Sequence, residues 1–339
     1  MSPKQNLKTY LSEARKIILS THLQPDGDGL GAETALFHYL KNAGKSCRVC
    51  NPDHLPRRYK FLDPKGRFLH GPDHALRHKN WDLWVIVDTN DPARVGQLWK
   101  TVAPRVKRIV FLDHHQPLIG ARKLDYPAKA SIVSDTRASS IGELLFTIMS
   151  DLKLTKLNLD IATGLYVSVM TDTNSFRYAG TTPASHRIAA QMIELGVNPE
   201  KIYQSIYSSK NVSHVRLLGS LLQNMKHTRS GKIAWLELPL ALRKKFNATP
   251  DDTHSFLNLL LLIQNVEIIC LFREEDDGKT RVSIRSKGKF QVHRVAAELG
   301  GGGHEFAAGV ALRAPLKKTV DEVVSRLEAE LRNKSLGSS

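Results

Sequence analysis

Up to about residue 180, short runs rich in Val, Ile and Leu alternate with stretches whose apolar positions recur at helical spacing. RKIILSTH, KSCRVC, DLWVIVDT and RIVFLDHH read as strands, and GAETALFHYLKNAG and ARVGQLWKTV read as the helices between them. That alternation predicts an α/β domain built on a mostly parallel sheet with covering helices. From about 139 to 225 the pattern is helical, in SSIGELLFTIMSDL, LDIATGLYVSVM and PASHRIAAQMIELG, the last stopped by Gly196. Beyond about 226 it turns to strands, KIAWLELP, VEIICLFREE and TRVSIRSKG, with Asp276-Asp277-Gly278 predicting a hairpin turn. TVDEVVSRLEAELRNK closes the chain as an amphipathic helix. The expected organisation is a catalytic α/β domain over 1–185, a helical connector over 186–225 and a smaller α+β domain over 226–332.

Composition supports packed cores: 339 residues, 41% hydrophobic and 24% charged, enough for two ordinary domains. The excess of 49 Lys and Arg over 33 Asp and Glu, a formal charge of +16, favours polyanionic partners such as nucleic acid or nucleotides. No run approaches the roughly 18 apolar residues that cross a bilayer, and MSPKQNLKTY lacks the apolar region of a secretory signal, so no membrane partner is expected. Three cysteines, Cys47, Cys50 and Cys270, cannot all pair, which fits a reducing, cytoplasmic compartment. Cys47 and Cys50 form a CxxC, but with no second pair and a strand-like context they read as ordinary buried thiols.

Chemistry concentrates where the apolar runs end. His22, Asp26 and Asp28 follow the first strand in HLQPDGDG, Asp88 ends LWVIVDT, Asp113, His114 and His115 end RIVFLDHH, and Asp172 follows the run VSVM. Polar residues just beyond strands lie at the carboxyl edge of such a sheet, where ligands bind. Each acid alone reads as a helix cap or a structural pair. Several together imply a compensating cation, because an unpaired buried carboxylate costs several kcal/mol. The GDGLG run has GxGxG rather than GxGxxG spacing, and its acids would repel a pyrophosphate. Imidazoles with several carboxylates and no thiolate suit Mn²⁺ or Mg²⁺ better than structural Zn²⁺. Two divalent ions roughly 3.5–4 Å apart would suit phosphoryl-ester hydrolysis.

In order, these segments resemble the motifs of the DHH/DHHA1 phosphoesterases: HxxPDxD at His22 to Asp28, VDT at Asp88, DHH at Asp113 to His115, TDT at Asp172 and GGGH at Gly301, Gly302, Gly303 and His304. The resemblance spans about residues 10 to 315. It implies one ion, most often Mn²⁺ with Mg²⁺ or Co²⁺ as substitutes, on His22, Asp26 and Asp88. A second would lie on Asp28, Asp88, His114 and Asp172, with Asp88 bridging. It further implies that Asp113 orients a ligand, that His115 faces the scissile phosphate, and that Arg285, Ser286, the glycines and His304 bind substrate in a cleft between the domains. Thr173-Asn174-Ser175-Phe176-Arg177 departs from the family by lacking a glycine after TDT.

Within the family the chain resembles the nanoRNase and pAp-phosphatase branch, which hydrolyses short oligoribonucleotides to 5′-mononucleotides and 3′-phosphoadenosine 5′-phosphate (pAp) to AMP. Homodimers are common in that branch. A phosphodiesterase for linear or cyclic signalling dinucleotides (pApA, c-di-AMP) is the rival within the same chemistry. A non-catalytic nucleic-acid-binding protein is the rival of another class.

Overall fold

Four adjacent strands of the first sheet are the apolar runs read from the sequence, and polar clusters follow or end three of them. The computed structural model describes residues 3–71, 80–115, 126–208, 212–248, 256–288 and 290–336. Its chain divides into two compact units, Met1–Ser209 and Lys210–Ser339.

In the first unit, β1 (Lys16–Ser20), β2 (Ser46–Cys50), β3 (Leu69–His70), β4 (Trp81–Val87), β5 (Val106–Asp113) and β6 (Ala130–Ser134) form one sheet in the order β3-β2-β1-β4-β5-β6. Every neighbouring pair runs parallel. Such strands are buried on both faces and so read as apolar runs, not as alternations. One face packs Leu19, Val85, Val87 and Leu112 with α2 (Gly27–Asn42), α4 (Ile141–Leu152) and α5 (Leu159–Asp172). The opposite face packs Ile18, Trp84, Ile86 and Phe111 against Leu98 and Val102 of α3 (Gln97–Val102). Chain order reverses at β1, which lies between β2 and β4, and the carboxyl ends at such a switch point form a crevice.

Helix α1 (Pro3–Glu13) precedes this sheet, and α6 (Pro183–Glu194) and α7 (Pro199–Tyr207) complete the unit. The sequence pattern gave no sign of α1, β3 or β6: two of these are short, and all three lack a long apolar run. Cys47 and Cys50 lie buried in β2 as thiols, not joined as a disulfide, and burial pushes the Cys47 thiol far up.

The second unit is a six-stranded sheet in the order β11-β12-β10-β9-β8-β7, from β7 (Lys226–His227), β8 (Ile233–Leu238), β9 (Ile268–Glu274), β10 (Thr280–Ser286), β11 (Gly302–His304) and β12 (Ala307–Leu312). Only β8 and β9 pair parallel. The β9–β10 hairpin turns at Gly278, whose φ of 74° suits a residue without Cβ. One face packs Cys270, Phe272 and Ile284 with Val295 and Val323, from helices at Val292–Glu298 and Leu316–Leu336. The other packs Leu236 and Leu271 with Phe256 and with Leu217 of α8 (Val212–Gln223).

Candidate metal centre

Helix α2 begins earlier than its apolar pattern suggests. Asp26 caps it, accepting hydrogen bonds from the Asp28 and Gly29 amides at 3.0 and 3.3 Å. The PDGDG segment is therefore a helix N-terminus and not an open turn, with Asp28 buried in the first helical turn. Asp172 is the last residue of α5, so the fourth polar cluster sits at a helix end, whereas the other three follow or end strands.

Glycines bring α2 and α5 into contact. A Cβ on Gly31 would stand 2.6 Å from the Gly164 carbonyl oxygen, and a Cβ on Gly164 would stand 2.6 Å from the Gly31 oxygen. In GDGLG, Gly27 and Gly31 thus serve packing on α5, and Gly29 leaves room for the Thr21 side chain.

The side chains converge around Asp88 and His114. Its Oδ2 is 3.1 Å from His22 Nε2, and its Oδ1 lies 3.8 Å from His114 Nε2 and 3.7 Å from His115 Nδ1. Asp26 Oδ2 is 3.9 Å from His22 Nε2. On the other side, His114 Nε2 is 3.3 Å from Asp28 Oδ2 and 3.4 Å from Asp172 Oδ2. His22, Asp26 and Asp88 form one set able to hold a metal ion; Asp28, His114 and Asp172 form another; and Asp88 with His114 and His115 forms a third. Two buried atoms aimed into this space, Asp88 Oδ1 and His114 Nε2, have no hydrogen-bond partner among the described residues. Such atoms are what a cation would satisfy, and the oxygen and imidazole donor set fits a hard or borderline divalent ion.

Hydrogen bonds on the far edges select the tautomers. His22 Nδ1 donates to the Leu23 carbonyl at 2.7 Å and His114 Nδ1 to the Ala138 carbonyl at 3.2 Å, presenting Nε2 to the carboxylates in each case. Burial disfavours both charged rings, but Asp88 outweighs it at His22 and carries its pKa up to about 9. The Asp28 carboxylate beside it, with the charges of Asp172 and Asp88, likewise carries His114 up to about 11. Burial and the neighbouring Asp28 charge hold Asp172 well above the usual carboxylate range. Burial and Asp88 raise Asp26, although half its side chain remains open to solvent. Burial opposes ionisation of Asp88, and the His22 hydrogen bond with the three imidazoles overcomes it, so that its pKa falls below the ordinary value. In sum, the pocket draws positive charge, taken up by protons where no cation is bound.

Asp113 ends β5 and is 1% exposed. It accepts from the amides of His114 at 2.9 Å and His115 at 3.3 Å, and from His115 Nδ1 at 2.6 Å. Several partners of this centre carried no motif. Ser168 of α5 donates to Asp28 Oδ1 and accepts from the Gly142 amide at 2.7 Å. The Ile141 amide donates to both Asp28 oxygens at 3.1 and 3.0 Å. The signal for Ser168 was one hydroxyl in the otherwise apolar GLYVSVM.

The second-unit residues singled out from sequence lie on β10 and around β11. Arg285 Nη1 donates to the Ile284 carbonyl at 2.9 Å, and the Ser286 hydroxyl donates to the Phe290 carbonyl at 2.6 Å. Gly301 and Gly303 press against β12, where a Cβ would stand 2.7 Å from Val310 Cβ and 2.5 Å from the Ala307 oxygen. Gly302 pairs with Gly309. The backbone of His304 belongs to β11, and its side chain lies outside the described residues.

Comparison with known proteins adds independent findings. The model of the DHH family, N-terminal domain, matches residues 16–169, and that of the DHHA1 domain matches 231–333. The chain is 28% identical over 323 residues to the bifunctional oligoribonuclease and PAP phosphatase NrnA of Thermus thermophilus, covering 93% of this chain and 90% of that protein. It is 25% identical to the cyclic-di-AMP phosphodiesterase GdpP of Bacillus subtilis, covering 95% of this chain and 48% of GdpP. A crystal structure of an exopolyphosphatase-related protein from Bacteroides fragilis superposes with a TM-score of 0.85 at 27% identity, covering 98% and 96% of the two chains.

Proposed function

The chain belongs to the DHH/DHHA1 family of phosphoesterases, and from that premise we propose that it hydrolyses short oligoribonucleotides to 5′-mononucleotides and pAp to AMP. Its likeness to the oligoribonuclease and PAP phosphatase over nine-tenths of both chains favours these substrates. One observation carries the chemistry: Asp88 directs one carboxylate oxygen to His22 and the other towards His114 and His115, so a single buried group serves both ligand sets.

In this reading His22, Asp26 and Asp88 hold one divalent ion and Asp28, Asp88, His114 and Asp172 a second, with Mn²⁺ best suited to the mixed oxygen and nitrogen donors. Such ions supply Lewis acidity and lower the pKa of water. The protein's own part is to hold the ligands rigid. Ser168 and the Ile141 amide fix Asp28, and the Leu23 and Ala138 carbonyls fix the imidazole tautomers. Asp113 keeps the proton of His115 on Nδ1, which makes Nε2 the atom that meets the phosphate. Arg285, Ser286, the Gly301 to Gly303 segment and His304 are proposed to bind the substrate, Arg285 through its planar donors. Three buried cysteines outside any disulfide fit a reducing cytoplasm, and self-association as a homodimer belongs to the same proposal.

Turnover of pAp and of oligoribonucleotides from two to about 24 residues, with Mn²⁺ and with chelator, tests this. Metal-dependent release of AMP together with preference for the shortest RNAs is the expected result. The likeness to GdpP favours one second reading, cleavage of c-di-AMP or pApA. Rapid cleavage of those with inactivity on pAp and short RNA would establish it instead. Binding of RNA with no metal-dependent cleavage of any of them would leave a nucleic-acid-binding protein.

A further inference from the structure

Behind the His22 ligand set lies a buried polar chain that the chemistry above does not use. Thr21 stands between β1 and His22, and three further segments meet on it, two of them bearing ligands of the proposed centre. Its amide donates to Asn51 Oδ1 at 2.9 Å, just beyond β2. Its hydroxyl donates at 3.1 Å to the carbonyl of Val87, the residue before Asp88. Gly29 of α2 lies so close to it that a Cβ there would overlap Oγ1.

Asn51 in turn donates through Nδ2 to Glu33 Oε2 at 2.8 Å. Glu33 is wholly buried on α2 and Asn51 is 3% exposed. The second carboxyl oxygen of Glu33 has no hydrogen-bond partner among the described residues. An apolar residue would fill this place without that desolvation cost, so packing alone does not account for the pair.

We propose that Glu33 and Asn51 are positioning residues for the metal subsite formed by His22, Asp26 and Asp88, acting through Thr21. The inference rests on the two-metal reading. Asn51 fixes the Thr21 amide, Thr21 fixes the start of the His22 loop and the end of β4, and Glu33 fixes the orientation of the Asn51 amide. Outer partners of this kind change metal affinity by about 10- to 100-fold when removed. Burial pushes the Glu33 carboxyl up to about 8, making it an uncharged partner at pH 7 that glutamine can imitate.

The test is Mn²⁺ binding by metal-free protein, followed through the EPR signal of free Mn²⁺. Wild type, His22→Ala, Glu33→Leu, Glu33→Gln and Asn51→Ala are compared, with thermal melts in chelator alongside. Wild type is expected to bind two ions, and His22→Ala identifies the step belonging to its subsite. Glu33→Leu and Asn51→Ala should weaken that step about 10- to 100-fold and leave the other unchanged, while Glu33→Gln restores it. Should Glu33→Leu fail to fold, Asn51→Ala and Glu33→Gln still decide the matter. Wild-type binding in the variants, or equal weakening of both steps, would overturn the positioning role. A wild type that binds no Mn²⁺ would bring down the two-metal reading itself.

Discussion

Asp88 takes a left-handed backbone conformation, with φ at 64°, which costs a non-glycine residue of order 1–3 kcal/mol. Its amide donates to the Leu112 carbonyl at 2.8 Å, anchoring the strained residue across the β4–β5 edge. The strain places one carboxylate between three imidazoles. Asp88→Asn keeps the shape and removes the charge, so pAp turnover with Mn²⁺ should fall below detection while the circular dichroism spectrum is unchanged. Asp113→Asn is expected to behave differently. It should lower kcat about 10- to 100-fold without changing the number of Mn²⁺ ions bound, since Asp113 orients His115.

Protonation is also decided residue by residue. The folded pKa values of His22, about 9, and His114, about 11, lie above the unfolded value of about 6.5. Their contribution to stability is therefore complete below pH 6.5 and is lost as pH rises through the folded values. In chelator, the melting temperature should fall between pH 6.5 and 9.5, and Mn²⁺ should remove most of that slope by replacing the protons. A flat profile in chelator would refute this account of the pocket.

At the scale of elements, the centre depends on how closely α2 and α5 approach. Asp28 and Asp172 lie on different helices, and their distances to one imidazole nitrogen are set where Gly31 faces Gly164. Because the obstructing atoms are backbone, Gly31→Ala should destabilise the protein by about 1–3 kcal/mol. The fall in activity should exceed that of a surface helix Gly→Ala control, as differential scanning calorimetry and pAp assays would register. The α2 pattern was legible as a helix, but its start was not. Gly27, Gly29 and Gly31 have poor helix propensity and lowered the apparent signal, whereas the Asp26 cap and packing on Thr21 and α5 override it. The same override explains Ser168, a polar residue mid-helix whose hydroxyl serves both Asp28 and the Gly142 amide.

For the whole molecule, a formal charge of +16 bears on association with nucleic acid more than on the bond broken. Between about 50 and 200 mM salt, kcat/KM for an oligoribonucleotide of about 24 residues should fall more steeply than that for pAp, because each neutralised phosphate adds to the slope. Equal slopes would show that the basic surface does not engage the longer chain. The sequence by itself determined the two-unit α/β and α+β plan and the ordered set of acids and histidines that follow its apolar runs. Apolar periodicity and residue chemistry are local properties that survive without coordinates. Only the tertiary structure decided which of those groups meet around Asp88 and His114. The two oxygens of Asp88, the Gly31–Gly164 contact and the Glu33–Asn51–Thr21 chain join residues far apart in sequence. No periodicity encodes distances of that kind, because they arise when separate elements pack.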